Sequence, residues 1–303
     1  MTETGLLIVG AGAAGLECAA EALRAGVRSV LLTDTEKEVG GVLTQCLHSG
    51  FGLGRYGRDM TGLEMLASLR AALPDAVTLR TETTVLQVFP DRTALLVSPE
   101  GMETVRFRQL VLAVGCRERS LWSLPVAGAR PAGVFTAGLA QRLLNREGVS
   151  LGKRIVILGS GNVGLVMAGR FAELGTPPLA IIEKRPQLGG LTRNQNRFVR
   201  RNGIPVRLNA TVTALHGDGQ LTGVTVRDLL TGNEELLPCD TLVTALGLIP
   251  EQSLADALRV GGRLPDWVQL TGNCDFVHDI ADAVLRDADG AARRAAAALA
   301  AES

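Results

Sequence analysis

The sequence predicts an α/β protein that contains two Rossmann-like folds. Three observations support this fold class: a length of 303 residues, a glycine-rich βαβ pattern that occurs twice, and an acidic residue at the same distance after each glycine-rich turn. At about 100–200 residues per domain, the length fits two domains, each large enough to bury its own core.

The internal repeat is visible when LLIVGAGAAGLECAAEALRAG is compared with RIVILGSGNVGLVMAGRFAELG. Each copy reads as a short strand of β-branched residues and leucine, a glycine-rich turn, and a helix rich in alanine and leucine. A second strand follows each helix, SVLLTD in the first copy and PLAIIEK in the second. The repeat therefore predicts two βαβ units.

Both turns match the pattern G-x-G-x-x-G, with glycines at Gly10, Gly12 and Gly15, and at Gly159, Gly161 and Gly164. The first glycine permits the tight turn, the second lets a pyrophosphate approach the backbone, and the third lets helix and strand pack closely. The helix N-terminus then offers N–H groups and a partial positive charge to the phosphates. We expect cofactor contacts at these helix starts, which contain Ala13, Ala14 and Asn162.

Each copy also has an acidic residue at the end of its second strand, Asp34 in the first and Glu183 in the second. Such an acid binds the adenosine ribose hydroxyls and repels the additional phosphate of NADPH. Glu183 therefore favours NADH. The neighbouring Lys184 and Arg185 leave the alternative open, because adjacent cations can accept a 2′-phosphate.

The overall composition argues against several classes of function. The 31 Lys and Arg residues balance the 31 Asp and Glu residues, so no excess positive charge directs the protein to nucleic acid or anionic lipid. No apolar run reaches the roughly 18 residues of a membrane span, and the opening MTETGLLIVGAG does not resemble a secretory signal. We therefore expect a cytoplasmic protein. The five cysteines stand singly, without a C-x-x-C pair, which argues against a disulfide framework or a metal site.

A second shared element follows each unit, EVGGVLTQ with Gly40–Gly41 and QLGGLTRN with Gly189–Gly190. Further motifs are LVLAVG, DTLVTALGLIPE and LTGN, which contain Gly115, Gly247, Gly272 and Asn273. With these motifs the chain resembles the pyridine nucleotide–disulfide oxidoreductase superfamily, in the compact two-domain arrangement of bacterial thioredoxin reductases. The resemblance covers nearly the whole chain.

The resemblance implies a domain arrangement and two cofactors. In that family the N-terminal fold takes FAD, an inserted central fold takes NAD(P)H, and the last segment returns to complete the FAD domain. By analogy, residues 1–118 plus 246–303 form the FAD domain and 119–245 the NAD(P)H domain. The contacts implied beyond the glycine-rich turns are Gly41, Gly115, Gly247, Gly272 and Asn273. Relatives of this build are often dimers, so the resemblance implies a possible homodimer. The composition itself gives no evidence for or against it.

The sequence departs from the disulfide reductases of this superfamily in its cysteines. Thioredoxin reductases of this size carry a C-x-x-C in the nicotinamide domain, whereas Gly133 to Asn145 reads GVFTAGLAQRLLN. Larger disulfide reductases keep a cysteine pair after the Gly-Gly of the FAD domain, whereas this chain has only Cys46 there. We therefore expect that the chain does not reduce thioredoxin by the usual dithiol mechanism.

The segments QCLHSGFGL, VGCRERS and TGNCDFVHDIADAV resemble a narrower group of FAD/NAD-binding oxidoreductases. Its members are typically encoded beside flavoproteins similar to glycerol-phosphate or hydroxy-acid dehydrogenases. The nucleotide-binding fold is also similar to the α subunits of opine oxidase, hydrogen cyanide synthase and heterotetrameric sarcosine oxidase. Those subunits often add a cysteine-rich extension; because this sequence stops at Ser303 after an Ala-rich helix, such an extension would have to come from another polypeptide.

Cys46 and His48 are the first candidate reacting groups, because their segment passes close to the flavin ring on the family pattern. A Cys46 thiolate would attack a disulfide or form a charge-transfer contact with FAD, and His48 would hold the proton. The alternative is an ordinary loop thiol and a hydrogen-bonded histidine.

The LTGN segment supplies the other candidates. Asn273 stands where most relatives have an aspartate that contacts the flavin ribityl chain, and it can still form hydrogen bonds. His278 is placed to stabilise the reduced flavin anion, and Asp279 is a candidate N-cap of the last helix. Cys274 would form a redox pair with Cys46 if the fold brings the two together.

These features predict an FAD-dependent oxidoreductase that transfers a hydride between NAD(P)H and FAD and then passes electrons to a small-molecule or small-protein acceptor. Three alternatives stay open: an electron-transfer subunit supplied by a partner flavoprotein dehydrogenase, a single-cysteine reductase of disulfides or peroxide, and a non-catalytic nucleotide sensor.

Overall fold

The computed structural model describes residues 2–302 and divides into two compact units. The first consists of the residues up to Arg117 and those from Ile249 onward, and the second, Glu118–Leu248, is inserted between them. The predicted α/β class, with one domain inserted in the other, is confirmed. The boundaries predicted from the sequence were 118/119 and 245/246, and the structure places them at 117/118 and 248/249.

Twenty strands form the sheets of the described residues. They are β1 (Thr2–Val9), β2 (Val30–Thr33), β3 (Ser49–Phe51), β4 (Met60–Thr61), β5 (Val77–Arg80), β6 (Thr84–Phe89), β7 (Thr93–Ser98), β8 (Gly101–Leu112), β9 (Cys116–Glu118), β10 (Ala127–Gly128), β11 (Val134–Thr136), β12 (Ile155–Leu158), β13 (Ala180–Ile182), β14 (Val206–Arg207), β15 (Ala210–His216), β16 (Gly223–Asp228), β17 (Glu234–Leu237), β18 (Thr241–Thr244), β19 (Leu248–Pro250) and β20 (Val268–Leu270).

Eight α-helices accompany the strands in residues 2–302. They are α1 (Ala13–Arg24), α2 (Leu53–Tyr56), α3 (Gly62–Ala72), α4 (Ala137–Asn145), α5 (Asn162–Glu173), α6 (Thr192–Asn194), α7 (Ser253–Asp256) and α8 (Ala281–Ala301). A π-helical turn, Gln195–Arg200, continues α6. Short 3₁₀ helices occupy Gly41–Gln45, Leu121–Ser123 and Gly272–Cys274.

The first unit is built around a seven-stranded sheet with the order β5-β2-β1-β8-β7-β6 and β20 also paired with β8. The strands β5, β2, β1, β8 and β20 are parallel, which is the Rossmann-like part. The long β8 pairs antiparallel with β7 through its first half and parallel with β20 through its last residues. The returning C-terminal segment thereby completes the sheet of the first unit.

The second unit contains a five-stranded parallel sheet with the order β11-β18-β12-β13-β14. A separate four-stranded sheet, β10-β15-β16-β17, lies in the same unit. The parallel sheet repeats the register of the first unit, because Ile8 pairs with Leu32 there and Ile157 pairs with Ile181 here. These are equivalent positions of the sequence repeat, so the repeat extends to strand order and register.

Both faces of the first sheet are covered by buried side chains. Leu6 and Ile8 join one apolar cluster and Leu7 and Val9 join the other, as successive residues of a strand must. The helices α1 and α8 pack together on one face. Alanines dominate the buried face of α8, and their small side chains let the two helices approach closely. This packing fixes the start of α1, where the first glycine-rich turn ends.

Candidate dinucleotide sites

The first glycine-rich turn needs two of its glycines for the fold itself. Gly10 has φ +99°, and a Cβ there would lie 2.6 Å from the Ala113 carbonyl oxygen. A Cβ on Gly15 would lie 1.7 Å from the Gly10 carbonyl oxygen. Both positions therefore require glycine whether or not a ligand binds.

Gly12, the middle glycine, is different because its missing side chain faces open space. Its φ of −74° suits any residue, and the nearest atom to an added Cβ is the Gly41 Cα at 3.9 Å. Helix α1 begins at the next residue, Ala13, and no side chain caps it. An open space beside an uncapped helix N-terminus is what a pyrophosphate requires.

The second glycine-rich turn repeats this division. Gly159 has φ +99°, and a Cβ there would lie 2.3 Å from the Ala245 carbonyl oxygen. A Cβ on Gly164 would lie 2.7 Å from the Gly159 carbonyl oxygen, whereas a Cβ on Gly161 would meet nothing within 4 Å. Helix α5 begins at Asn162 and also lacks a side-chain cap. The second turn therefore offers an equivalent space for phosphate.

Asp34 lies at the end of β2, as predicted, and is half-buried. Its Oδ2 accepts a hydrogen bond from the Ala11 N–H at 2.6 Å, and its Oδ1 accepts one from the Glu36 N–H at 2.8 Å. These bonds orient the carboxylate beside the turn. Each oxygen keeps a lone pair for a ribose hydroxyl.

Glu183 holds the equivalent place after β13 but is more enclosed, at 4% exposure. Its Oε2 accepts hydrogen bonds from the Ser160 N–H at 3.0 Å and from the Ser160 hydroxyl. Its Oε1 accepts bonds from the Arg185 N–H at 3.0 Å and Nε–H at 3.1 Å. Burial raises the pKa of Glu183, but these hydrogen bonds together outweigh it and hold the pKa below its usual range.

Two loops of the first unit converge on the start of α1. Gly41 has φ +52°, and a Cβ on it would lie 3.2 Å from the Gly12 Cα. A Cβ on Gly272 would lie 2.9 Å from the Ala14 Cβ. The structure therefore brings four predicted residues from three segments to one place.

Gly115 and Gly247 border open space in their own units. Both have positive φ, +75° and +103°, and an added Cβ at either would meet nothing within 4 Å. Their predicted contacts with cofactor stay predictions.

The LTGN loop is held by an aspartate that the sequence motifs did not reveal. Asp287 of α8 accepts hydrogen bonds from the Gly272 N–H at 2.6 Å and from the Thr271 hydroxyl at 3.0 Å. Asn273 uses its Oδ1 to accept the His278 N–H at 3.0 Å. The His278 Nε2 is buried, lies 3.8 Å from the Asp287 Oδ2, and has no hydrogen-bond partner in residues 2–302.

The expectation that Asp279 caps the last helix is wrong. Helix α8 begins at Ala281, its N-cap is Ile280, and Asp279 is exposed. Asp282 in the first turn binds the start of helix α2 instead, since it accepts the Arg55 N–H at 2.7 Å and the Gly52 N–H at 3.2 Å. The physical reason is the extended backbone of Ile280, with φ −138° and ψ 144°, so the helix cannot begin before Ala281 and Asp279 lies one residue too early to cap it.

Cys46 is buried at the end of the 3₁₀ helix Gly41–Gln45, and its thiol donates to the Val42 carbonyl oxygen at 3.2 Å. Burial raises the pKa of Cys46 to about 12. A thiol in this state is a poor nucleophile near neutral pH. His48 has its Nδ1 3.0 Å from the Ser49 carbonyl oxygen, and its ring centroid is 5.1 Å from that of Phe51. This setting favours the alternative of a structural thiol and a hydrogen-bonded histidine.

Cys274 is also buried, and its thiol donates to the carbonyl oxygens of Leu112 at 2.9 Å and Thr271 at 3.2 Å. Burial raises the pKa of Cys274 as well. The suggested redox pair of Cys274 with Cys46 is not supported, because each thiol is directed to main-chain oxygens of its own surroundings.

The substitution Cys46→Ser tests this interpretation. We expect flavin reduction and turnover to stay within about twofold of the wild type, because the serine hydroxyl can donate to the same carbonyl oxygen and no thiolate is present to lose. Stopped-flow reduction under argon measures the first quantity. Alkylation at about pH 8 provides a second measurement, in which Cys46 should stay unmodified in the native protein. A loss of more than about a hundredfold in turnover, with unchanged folding, would restore the redox role.

Other features of the described residues bear on partners. No group of three or more His, Cys, Asp or Glu side chains within residues 2–302 is arranged to hold a metal ion. Over the same range, every helix is too short or too polar to cross a membrane.

Known proteins resemble the chain in sequence over most of its length. The family profile described as pyridine nucleotide-disulphide oxidoreductase matches residues 4–266. Hydrogen cyanide synthase subunit HcnB of Pseudomonas aeruginosa is 29% identical over 301 residues, which cover 89% of this chain and 62% of that protein. One of the opine oxidase subunits of Agrobacterium tumefaciens is 24% identical over 274 residues, 83% of this chain and 54% of that protein. The chain thus spans less than two thirds of these relatives.

Solved structures resemble the whole chain. Thioredoxin reductase of T. acidophilum aligns with a TM-score of 0.78 at 22% identity and covers 100% of this chain and 99% of its own. A bacillithiol disulfide reductase of Bacillus cereus aligns with a TM-score of 0.76 at 14% identity, with complete coverage of both chains. At these identities the likeness shows the fold.

Proposed function

The chain belongs to the pyridine nucleotide-disulphide oxidoreductase family, whose members use FAD and NAD(P)H, and from this premise we propose that its first unit binds FAD and its second unit binds NADH. Bound FAD supplies the chemistry, since it accepts a hydride from the nicotinamide and releases electrons to a second acceptor. The residues of the chain bind and orient the two dinucleotides.

The observation that carries the proposal is the pair of open middle glycines. Gly12 and Gly161 each leave free space next to the uncapped N-terminus of a helix, and each turn has a fixed carboxylate beside it. The pyrophosphate of a dinucleotide fits the first feature and its ribose fits the second. The same three parts occurring twice support two dinucleotides in one chain.

The first unit is the better site for FAD because more of the chain converges there. Gly41 lies against Gly12, and Gly272 lies against Ala14. Asp287 fixes the Gly272 loop through two hydrogen bonds. His278 lies beside the same loop, with its Nε2 3.8 Å from the Asp287 Oδ2, and its contact with the bound flavin is proposed from the family pattern.

The preference for NADH is supported by the surroundings of Glu183. Its hydrogen bonds keep the carboxylate ionised, and an anion at this position disfavours a 2′-phosphate. Of the two cations beside it, Arg185 directs its Nε–H to Glu183, and Lys184 is exposed to solvent. We therefore propose NADH ahead of NADPH.

We further propose that the acceptor takes its electrons without a protein dithiol. The segment in which compact thioredoxin reductases carry their cysteine pair forms β11 and α4 here and contains no cysteine. Cys46 is buried in the other unit, with its pKa raised to about 12. A small quinone, dye or protein that meets the flavin directly fits this arrangement.

A second candidate function is that of a flavin-binding subunit supplied with electrons by a partner dehydrogenase. The names of the similar proteins favour it, since the hydrogen cyanide synthase and opine oxidase relatives are called subunits. In that function NADH would leave the flavin oxidised until the partner and its substrate were added.

The visible spectrum under argon separates the two candidates. The purified protein, reconstituted with FAD, is mixed with one equivalent of NADH or of NADPH. We expect the bound-flavin band to bleach within seconds with NADH and more slowly with NADPH. A band that persists with both nucleotides would contradict the reductase proposal, and bleaching that requires a co-purified dehydrogenase and its substrate would support the second candidate.

A further inference from the structure

Ser160 is fully buried in the second glycine-rich turn and connects two parts of the nucleotide site. Its N–H and its hydroxyl both donate to the Glu183 Oε2. The same hydroxyl oxygen accepts the Gly189 N–H at 2.7 Å. One side chain therefore joins the acid to the Gly189–Gly190 loop.

The first unit lacks this connection because Ala11 occupies the equivalent position. There the acid Asp34 receives only the Ala11 N–H from this position, at 2.6 Å, and the Gly40 N–H donates to the Ala11 carbonyl oxygen at 2.8 Å. The fold of the turn thus forms with alanine at this place. The Ser160 hydroxyl is an addition of the second unit, where it accepts the Gly189 N–H, the equivalent of the N–H that the Ala11 carbonyl oxygen accepts in the first.

Glu183 requires such an addition because it is nearly enclosed. A carboxylate with 4% exposure loses most of its hydration, and four donated hydrogen bonds from two residues replace it. The two Arg185 bonds engage Oε1 and the two Ser160 bonds engage Oε2. Ser160 holds Oε2 from inside the turn, whereas Oε1 is held by Arg185, whose side chain is about half exposed. All four lone-pair sites are thus in use, so a ribose hydroxyl reaches Oε1 by replacing the Arg185 Nε–H while Ser160 keeps the carboxylate in one orientation.

We infer that Ser160 is a positioning residue that sets the preference for NADH by fixing the Glu183 carboxylate toward the adenosine ribose. The inference deepens the proposed function and rests on NADH binding in the second unit. A ribose hydroxyl that replaces the Arg185 Nε–H needs Oε1 in a defined place, so a carboxylate that rotates loses affinity for NADH. NADPH carries a phosphate on one of the ribose hydroxyls and gains less from the orientation.

Dissociation constants of the FAD-loaded protein for NAD⁺ and NADP⁺ test the inference without any redox turnover. Calorimetry is carried out on the wild type, Ser160→Ala, Glu183→Ala and the double variant. We expect Ser160→Ala to weaken NAD⁺ about tenfold, as for the loss of one charge-assisted hydrogen bond, and to change NADP⁺ less than about twofold. In the Glu183→Ala background, Ser160→Ala should change neither constant further.

The pH dependence gives a readout that a merely structural role would not change. Wild-type affinity for NAD⁺ should be full above the pKa of Glu183, which lies below its usual range, and fall only as pH drops through it. Without the Ser160 donor that pKa rises, so the acid limb of the affinity profile should move to higher pH in Ser160→Ala. Thermal melting of the apoproteins checks that both fold.

The measured dissociation constants distinguish a failure of the Ser160 role from a failure of the proposed NADH site. Equal weakening of NAD⁺ and NADP⁺, an unchanged ratio, or an effect that persists in Glu183→Ala overturns the role of Ser160 while leaving the proposed function standing. A wild type that binds neither nucleotide, or prefers NADP⁺, overturns the proposed NADH site and this inference with it.

Discussion

Gly12→Ala is expected to abolish FAD binding while NADH binding remains, and Gly161→Ala is expected to do the reverse. Both glycines have extended backbone conformations that alanine adopts without strain. An added Cβ meets no protein atom closer than 3.9 Å at Gly12 and none within 4 Å at Gly161. The methyl group would occupy only the space that the pyrophosphate needs, so the loss falls on ligand binding.

Flavin content after purification and the dissociation constant for NAD⁺ measure the two effects. We expect each variant to lose at least about a hundredfold in affinity for one dinucleotide, or about 2.7 kcal/mol. The unfolding free energy of each apoprotein in urea should stay within about 0.5 kcal/mol of the wild type. The opposite pairing of variants and lost ligands would show that the cofactors are assigned to the wrong units, and two unaffected variants would show that neither turn holds a pyrophosphate.

The sequence predicted the parts of the fold that depend on local pattern. Apolar strands and fixed glycines lie within short segments, so the repeat extended to equal register at Ile8 and Ile157. The positions of Asp34 and Glu183 at strand ends followed for the same reason. The hydrogen bonds around Glu183 were not predicted. The sequence did contain a signal for them, because Ser160 stands where the first copy has Ala11 and only serine has a hydroxyl that can bind the acid.

Features that depend on distant segments were missed or mistaken. Cys46 is buried partly because Gly62 packs against it so closely that a Cβ on Gly62 would lie 2.4 Å from the Cys46 Cβ. No residue spacing in the sequence predicts the contact between Gly62 and Cys46. The role of Asp287 was not predicted, because its partners Thr271 and Gly272 precede α8 in the sequence and contact Asp287 only once the loop and the helix are folded together. Side-chain roles at the flavin site therefore needed the tertiary structure.

Gly15→Ala is expected to destabilise the first unit by more than about 3 kcal/mol, beyond the usual range for point substitutions. Its Cβ would lie 1.7 Å from the Gly10 carbonyl oxygen, a backbone atom that cannot move without opening the turn. Gly164→Ala, the equivalent change in the second unit, should cost less, because the corresponding distance to Gly159 is 2.7 Å. The repeat thus allows the same substitution to be compared at two equivalent positions, at which the added Cβ lies at different distances from the backbone.

Each unit contains one of the two tryptophans, so unfolding can be followed separately. Trp267 fluorescence in a Trp122→Phe background reports on the first unit during urea unfolding, and Trp122 in a Trp267→Phe background reports on the second. Gly290→Ala is the matched control, since its Cβ in α8 would approach only the Arg294 Nη1, at 3.2 Å. That change should stabilise by about 0.5–1 kcal/mol through helix propensity. If Gly15→Ala proved as mild as Gly290→Ala, the close packing of α1 on β1 would be wrong, and with it the geometry of the first dinucleotide site.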